Sequence, residues 1–245
     1  MIVEFIGSTG AGKTTLIAEV RRKLAETRAV TTPFDLVASP LGLKNITHPT
    51  ARNLIQELAG FLFFLRSLIR RKEFIVFALK LLARQAGFSL FTINNLRSLE
   101  RKLGVYEIMR RNEDDQIILV DEGPLLLAHN IFVYSDAVYA DEEITRFASL
   151  VPLPDIIIYV RAPVDILVHR SLQRTDPPRE IKSKNRGLIE KHVNRATSMF
   201  DQLIKAENIH CRLLIVENPN SNDQGYDLVV SDTVKFILQS AATSK

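Results

Sequence analysis

Apolar residues gather into five short runs, Ile2–Ile6, 28–32, 117–121, 155–160 and 212–217. Each is rich in β-branched residues and bounded by polar ones, which predicts strands covered on both faces, as in a parallel sheet. Between the runs the apolar spacing changes to that of helices, over 15–24, 51–68, 74–86, 93–111, 164–174 and 188–208. Strands alternating with helices predict a doubly wound α/β fold with a five-stranded parallel sheet flanked by helices. The longest stretch without a strand, 50–112, reads as a helical insertion. Its first helix carries Leu54, Ile55, Leu58, Leu62, Leu65 and Ile69 at helical spacing, and Phe61, Phe63 and Phe64 widen the apolar surface almost all round. A helix of that kind is expected to be buried. The third pattern places Leu96, Leu99, Leu103, Tyr106 and Met109 on one face. The helix over 188–208 has a regular core face of Ile189, Val193, Ala196, Phe200, Leu203 and Ile204. Residues 240–245 read as a frayed tail.

The turn between the first strand and the first helix changes the picture from architecture to chemistry. It reads Gly7-Ser8-Thr9-Gly10-Ala11-Gly12-Lys13-Thr14, followed by Thr15, and fits G-x-x-x-x-G-K-[ST] at every constrained position. Glycines let backbone N–H groups close around a phosphate, and the helix start adds partial positive charge. Lys13 is placed to reach the β- and γ-phosphates, and the Thr14 hydroxyl to hold Mg²⁺. The third strand ends in Asp121-Glu122, acids at the end of a parallel strand where α/β sheets bind ligands. Asp121 is the second candidate metal ligand. The fourth strand ends in Arg161. The helix after it carries Arg170 and Arg174 one turn apart, then a proline-stiffened loop bearing Arg179. Arginines opposite a phosphate loop can neutralise charge on a transferring phosphoryl group, so 170–187 reads as a lid.

Composition adds bounds. The 245 residues suit one domain spanning 1–245, with 46% hydrophobic and 24% charged residues. A net charge of +4 suits phosphorylated ligands and gives no reason to expect nucleic acid as a partner. Cys211 is alone, which excludes an intramolecular disulfide and suits a reducing compartment; packing beside the last strand is its expected role. No secretory h-region is seen, so a cytoplasmic protein is expected. The segment 54–84 mixes Phe and Leu with Arg66, Arg70, Arg71, Lys72, Lys80 and Arg84. It is too interrupted to span a membrane, and membrane contact is not expected. Packing on the core is the first expectation, and a homodimer interface through 51–111 the next.

Together these features resemble the P-loop nucleotide and nucleoside kinase group, in its thymidylate kinase and deoxynucleoside kinase branch. The likeness is strongest at 1–24, 117–124 and 155–180, continues through 188–217, and is positional only between 50 and 112. It implies an ATP- and Mg²⁺-dependent phosphotransferase acting on a small acceptor, nucleoside- or nucleotide-like or sugar-like. Lys13, Arg170 and Arg174 would be catalytic. Gly7, Ser8, Thr9, Gly10, Ala11, Gly12, Lys13, Thr14, Thr15 and Arg179 would bind ATP, and Thr14 and Asp121 the metal. Two positions depart from the branch. Glu122 stands where it has an arginine, and Thr32-Pro33-Phe34-Asp35 stands where it has Glu-Pro. The base is therefore Asp35 or Glu122. A carboxylate at 122 disfavours a phosphorylated acceptor unless Arg52, Arg110 or Arg111 compensates. The alternative is a regulatory or assembly ATPase whose apolar helices over 51–86 bind a partner. The chain has no Asn-Lys-x-Asp guanine-reading motif.

Overall fold

A computed structural model describes residues 1–43, 45–84, 90–112, 116–134, 137–174, 185–218 and 225–243. Five parallel strands, β1 (Ile2–Ile6), β2 (Val30–Thr31), β3 (Ile117–Val120), β4 (Ile156–Arg161) and β5 (Leu213–Glu217), form one sheet in the order β2-β3-β1-β4-β5. All five predicted strands are present. β1 lies at the centre, pairing Ile2 with Ile118 on one side and Val3 with Ile156 on the other. Successive side chains of β1 point to opposite faces. Val3 and Phe5 join a core with α1 (Lys13–Leu24), α7 (Val164–Gln173) and α10 (Gly225–Thr243). Ile6 joins the other core, with α4 (Lys72–Ala83), α6 (Asp141–Leu150) and much of α8 (Arg186–Leu203). Ile2 packs with Tyr106 and Met109 of α5 (Leu90–Arg111). Continuous apolar strands are thus what a sheet covered on both faces requires.

The insertion is built around α3 (Pro49–Arg70) lying along α5. The crossing is close because two glycines meet: a Cβ at Gly104 would stand 2.2 Å from the Gly60 carbonyl oxygen. Arg97 locks the pair with a fork of hydrogen bonds to both Glu57 carboxylate oxygens, 2.7 and 2.8 Å. α5 is in turn moored to the sheet. Arg110 donates to Asp155 Oδ1 at 2.7 Å, and the other oxygen of Asp155 accepts the Ile2 N–H at 2.7 Å.

Several expectations are corrected. α3 is not buried. Only Gly60 and Ser67 are fully covered, while Leu58, Leu62 and Ile69 are 69%, 71% and 80% exposed, and Leu54, Phe61, Leu65 and Leu68 also face solvent. The inward side of this helix is chosen by residue size rather than by hydrophobicity, since only small residues allow the close approach to α5. Cys211 is exposed, not packed. Residues 240–243 are the end of α10, not a tail. The helix over 188–208 ends at Leu203, and a separate short α9 (Glu207–His210) follows. Short α2 (Pro33–Ala38) starts where Thr32 caps it, its hydroxyl accepting the Asp35 N–H at 3.2 Å. Among the described residues no helix is long and apolar enough to cross a membrane.

Candidate active site

β1 and β3 are neighbours, so the loop after β1 and the acids after β3 must meet at the same end of the sheet. They do. The Thr14 hydroxyl donates to Asp121 Oδ2 at 2.9 Å, across 107 residues of sequence. The loop is held in shape from two directions. Gly7, at φ 143°, lies against β4 so closely that a Cβ would stand 2.3 Å from the Val160 carbonyl oxygen. Asn218, buried at the end of β5, donates its amide to the Ala11 carbonyl at 2.6 Å. Asn218 thus braces the glycine loop.

The Lys13 ammonium folds over the loop, donating to Gly7 O at 2.9 Å and Ser8 O at 3.2 Å. Burial pulls it below the ordinary lysine range, against the pull of Asp121 and Glu122. Arg170 reaches in from α7 and donates to Gly10 O at 3.2 Å. A cavity of about 700 Å³ opens here, lined by Gly7, Thr9, Gly10, Gly12, Lys13, Thr14, Thr15, Arg170 and Arg174. Ser8 and Ala11 belong to the loop but do not line it. Arg179 and most of the predicted lid lie outside the described residues. Arg161 is turned away, paired with Asp201 at 3.4 Å and Glu217 at 3.7 Å.

The far wall of this cavity contains His129, Asn130 and Tyr134, residues outside the sequence motifs. His129–Val133 forms a single π-turn, with Tyr134 N–H donating to His129 O at 3.3 Å. The His129 ring packs edge-on to Tyr134 and His192, at 4.7 and 5.4 Å between centroids. Burial holds both imidazoles down, His192 to about 4. The wall is therefore aromatic and uncharged near neutral pH. No motif announces it, because π-turns have no sequence signature comparable to the glycine loop.

A second cavity, of about 410 Å³, lies on the α3 side of β3. Thr32, Phe34, Arg52, Asn53 and Gln56 line its outer part. Arg52 stacks over the Phe34 ring, 4.3 Å from its centroid. The two cavities share Thr14, Arg101, Lys102, Asp121 and Glu122. Asp35 lines neither cavity; its carboxylate pairs with Arg21 of α1 at 2.8 Å. Of the two base candidates, only Glu122 is brought to the site. The Lys102 ammonium, with Arg101 and Lys13, holds the Glu122 carboxyl below the ordinary range. Arg101 lies 3.4 Å from it. The charge expected to repel an anionic acceptor is therefore offset from α5. Arg110 and Arg111 do not contribute: one moors α5 to Asp155, and the other covers Phe63 at 4.7 Å. Arg52 does line the second cavity.

Thr14 and Asp121 offer two hard oxygens at one point, a donor set suited to Mg²⁺ that keeps most of its water. The phosphate loop, this oxygen pair and two cavities meeting at it can hold a nucleoside triphosphate with its terminal phosphate toward a second ligand.

No protein-family model matches the chain, and no curated protein matches it. Among solved structures, the chain is similar to thymidylate kinase from Ehrlichia chaffeensis, at 12% identity over 97% of this chain and 98% of that one, with a TM-score of 0.48. It is similar to shikimate kinase from Bacteroides thetaiotaomicron at 11% identity over 97% and 98%, TM-score 0.48. Deoxyadenosine kinase from M. mycoides, solved with bound dCTP, matches at 15% identity over 96% and 100%, TM-score 0.47. All three are kinases, the class that the sequence resembles, but likenesses this distant assign no activity or substrate.

Proposed function

We propose that this chain is an ATP- and Mg²⁺-dependent phosphotransferase that moves the γ-phosphate to a hydroxyl of a small acceptor, nucleoside- or nucleotide-like or sugar-like. One observation carries the reading: a phosphate-loop cavity and a second cavity share a wall that contains Thr14, Asp121 and Glu122. Phosphoryl transfer needs two ligands meeting end to end with the metal site between them. Lys13 and the loop N–H groups hold the β- and γ-phosphates. Thr14 and Asp121 hold Mg²⁺, which supplies charge neutralisation when bound. Glu122 accepts the acceptor's hydroxyl proton. Arg170 and Arg174 neutralise charge on the phosphate in flight.

The deciding experiment is Mg²⁺-dependent ATP consumption against pools of nucleosides, nucleoside monophosphates, and sugars or sugar phosphates. Stimulation by one pool is expected. Lys13→Ala should lower it roughly 100-fold or more. Turnover unchanged in Lys13→Ala would remove the loop from the mechanism.

The outward apolar face of α3 favours a second reading, a regulatory or assembly ATPase that docks a partner there. It predicts saturable ATP binding with no stimulation by any pool. Under either reading, that face is where a second copy of the chain would associate.

A further inference from the structure

Lys102 is the most unusual charge in the molecule. It sits on the inward face of α5, only 4% exposed, and lines both cavities. Among the described residues it makes no hydrogen bond and no ion pair. Two nearby acids on the same side of the molecule are, by contrast, paired with cations. Glu107 has Arg70 and Arg71, each at 3.8 Å. Glu122 has Arg101 at 3.4 Å. Glu4, beneath Lys102, accepts the Leu126 N–H at 3.3 Å. Taking an ammonium out of water without a direct partner costs several kcal/mol. Burial pulls Lys102 below the ordinary lysine range, while Glu122 and Asp121 act to keep its proton.

A charge held at that cost, on the wall where two cavities meet, is placed for an anion that arrives from either one. In the phosphotransfer reading, on which this rests, only one group passes that point. The phosphoryl group has three equatorial oxygens that carry spread negative charge during transfer. Lys13 approaches them from the loop. On the acceptor side Arg101 is taken up by Glu122 and Arg52 lies over the Phe34 ring, so among the described residues Lys102 is the cation of the shared wall with no direct partner there.

We infer that Lys102 is a catalytic residue whose ammonium contacts the transferred phosphoryl group from the acceptor side. The bond between the γ-phosphorus and the β–γ bridging oxygen breaks, and a bond from the acceptor oxygen to phosphorus forms. The acceptor's proton passes to Glu122, ADP leaves with the bridging electrons, and Lys102 keeps its protons throughout.

The test measures ATP turnover, MgADP affinity and thermal midpoint in the parent, Lys102→Met, Lys102→Arg and Lys13→Ala. For Lys102→Met, kcat should fall roughly 100-fold, the cost of losing one transition-state contact. KM for ATP and Kd for MgADP should stay within about threefold, because ADP lacks the contacted group. The midpoint should not fall, since Glu122 is 62% exposed and keeps Arg101. Lys102→Arg should recover part of kcat. Parent-like turnover in Lys102→Met, with Lys13→Ala inactive, would overturn this role and leave phosphotransfer standing. A lower midpoint with kcat and MgADP affinity falling together would make Lys102 a structural counter-charge instead. A parent that turns over no ATP with any pool, nor with water, would sink the phosphotransfer reading itself.

Discussion

At the scale of single residues, Glu4 shows how the site's surroundings are tuned. It is 1% exposed at the centre of β1, and burial pushes its carboxyl up to about 8. The folded protein therefore holds a proton that the unfolded chain releases near its ordinary value of 4.5. This contribution to stability is complete below that value and is lost as pH rises toward 8. The parent's thermal midpoint should decline between pH 5 and 8 relative to Glu4→Gln, whose side chain cannot titrate. Parallel curves in calorimetry would mean that Glu4 is ionised in the fold. His192 works with the opposite sign, its folded value near 4 lying below the usual 6.5. Its contribution is present above 6.5 and is lost as pH falls toward 4, so both proteins should share an acid limb. Residue placements differ in how far they were legible in the sequence. Thr14 and Asp121 were, because motif and strand end specify them. Lys102 was not: Arg101-Lys102 reads as the polar side of a helix, and only the seating of α5 over β1 and β3 turns one of the two inward. Asp35 was misplaced because a two-residue β2 gives way at once to α2, which aims its carboxylate at Arg21.

At the scale of elements, the strands were legible because continuous apolar runs of five or so residues admit few other fates. Helices were harder wherever hydrophobicity and burial part company. The apolar surface of α3 suggested a core helix, yet its packed side is set by Gly60 against Gly104. That crossing is testable. Gly104→Val places side-chain atoms within the Gly60 backbone and should cost about 1–3 kcal/mol by overpacking. The midpoint should fall by roughly 2–4 °C for each kcal/mol in a chain of this size. Gly187→Ala, where a new Cβ would meet only Asn185 Oδ1 at 3.4 Å, is the matched control. An unchanged midpoint in Gly104→Val would show that α3 shifts away without loss, and that the wall it gives the second cavity is adjustable.

For the whole molecule, the outward side of α3 is the surface through which self-association is predicted. Leu54, Leu58, Phe61, Leu62, Leu65, Leu68 and Ile69 together expose on the order of 700 Å², close to the ~800 Å² per partner of a standard interface. A twofold pairing of this helix with its copy would cover the patch on both chains at once. Sedimentation across a hundredfold concentration range should show the parent passing from monomer to dimer, and Leu58→Glu with Leu62→Glu staying monomeric. A parent that remains monomeric throughout would hand the patch to a different partner.

The central place of β1 also governs the order of events during synthesis. The strand carrying the glycine loop is made before both of its neighbours, which start at residues 117 and 156. At about 5–20 residues per second on the ribosome, the β4 partner arrives roughly 8–30 seconds later. Until β3 is made Val3, Phe5 and Ile6 have no sheet to enter, and until β4 is made that sheet is open on one side of β1. The glycine loop after β1 is thus translated well before the neighbours that fix its shape. Factors that shield nascent apolar chain should matter more to the yield of this protein than to one whose first strand pairs locally.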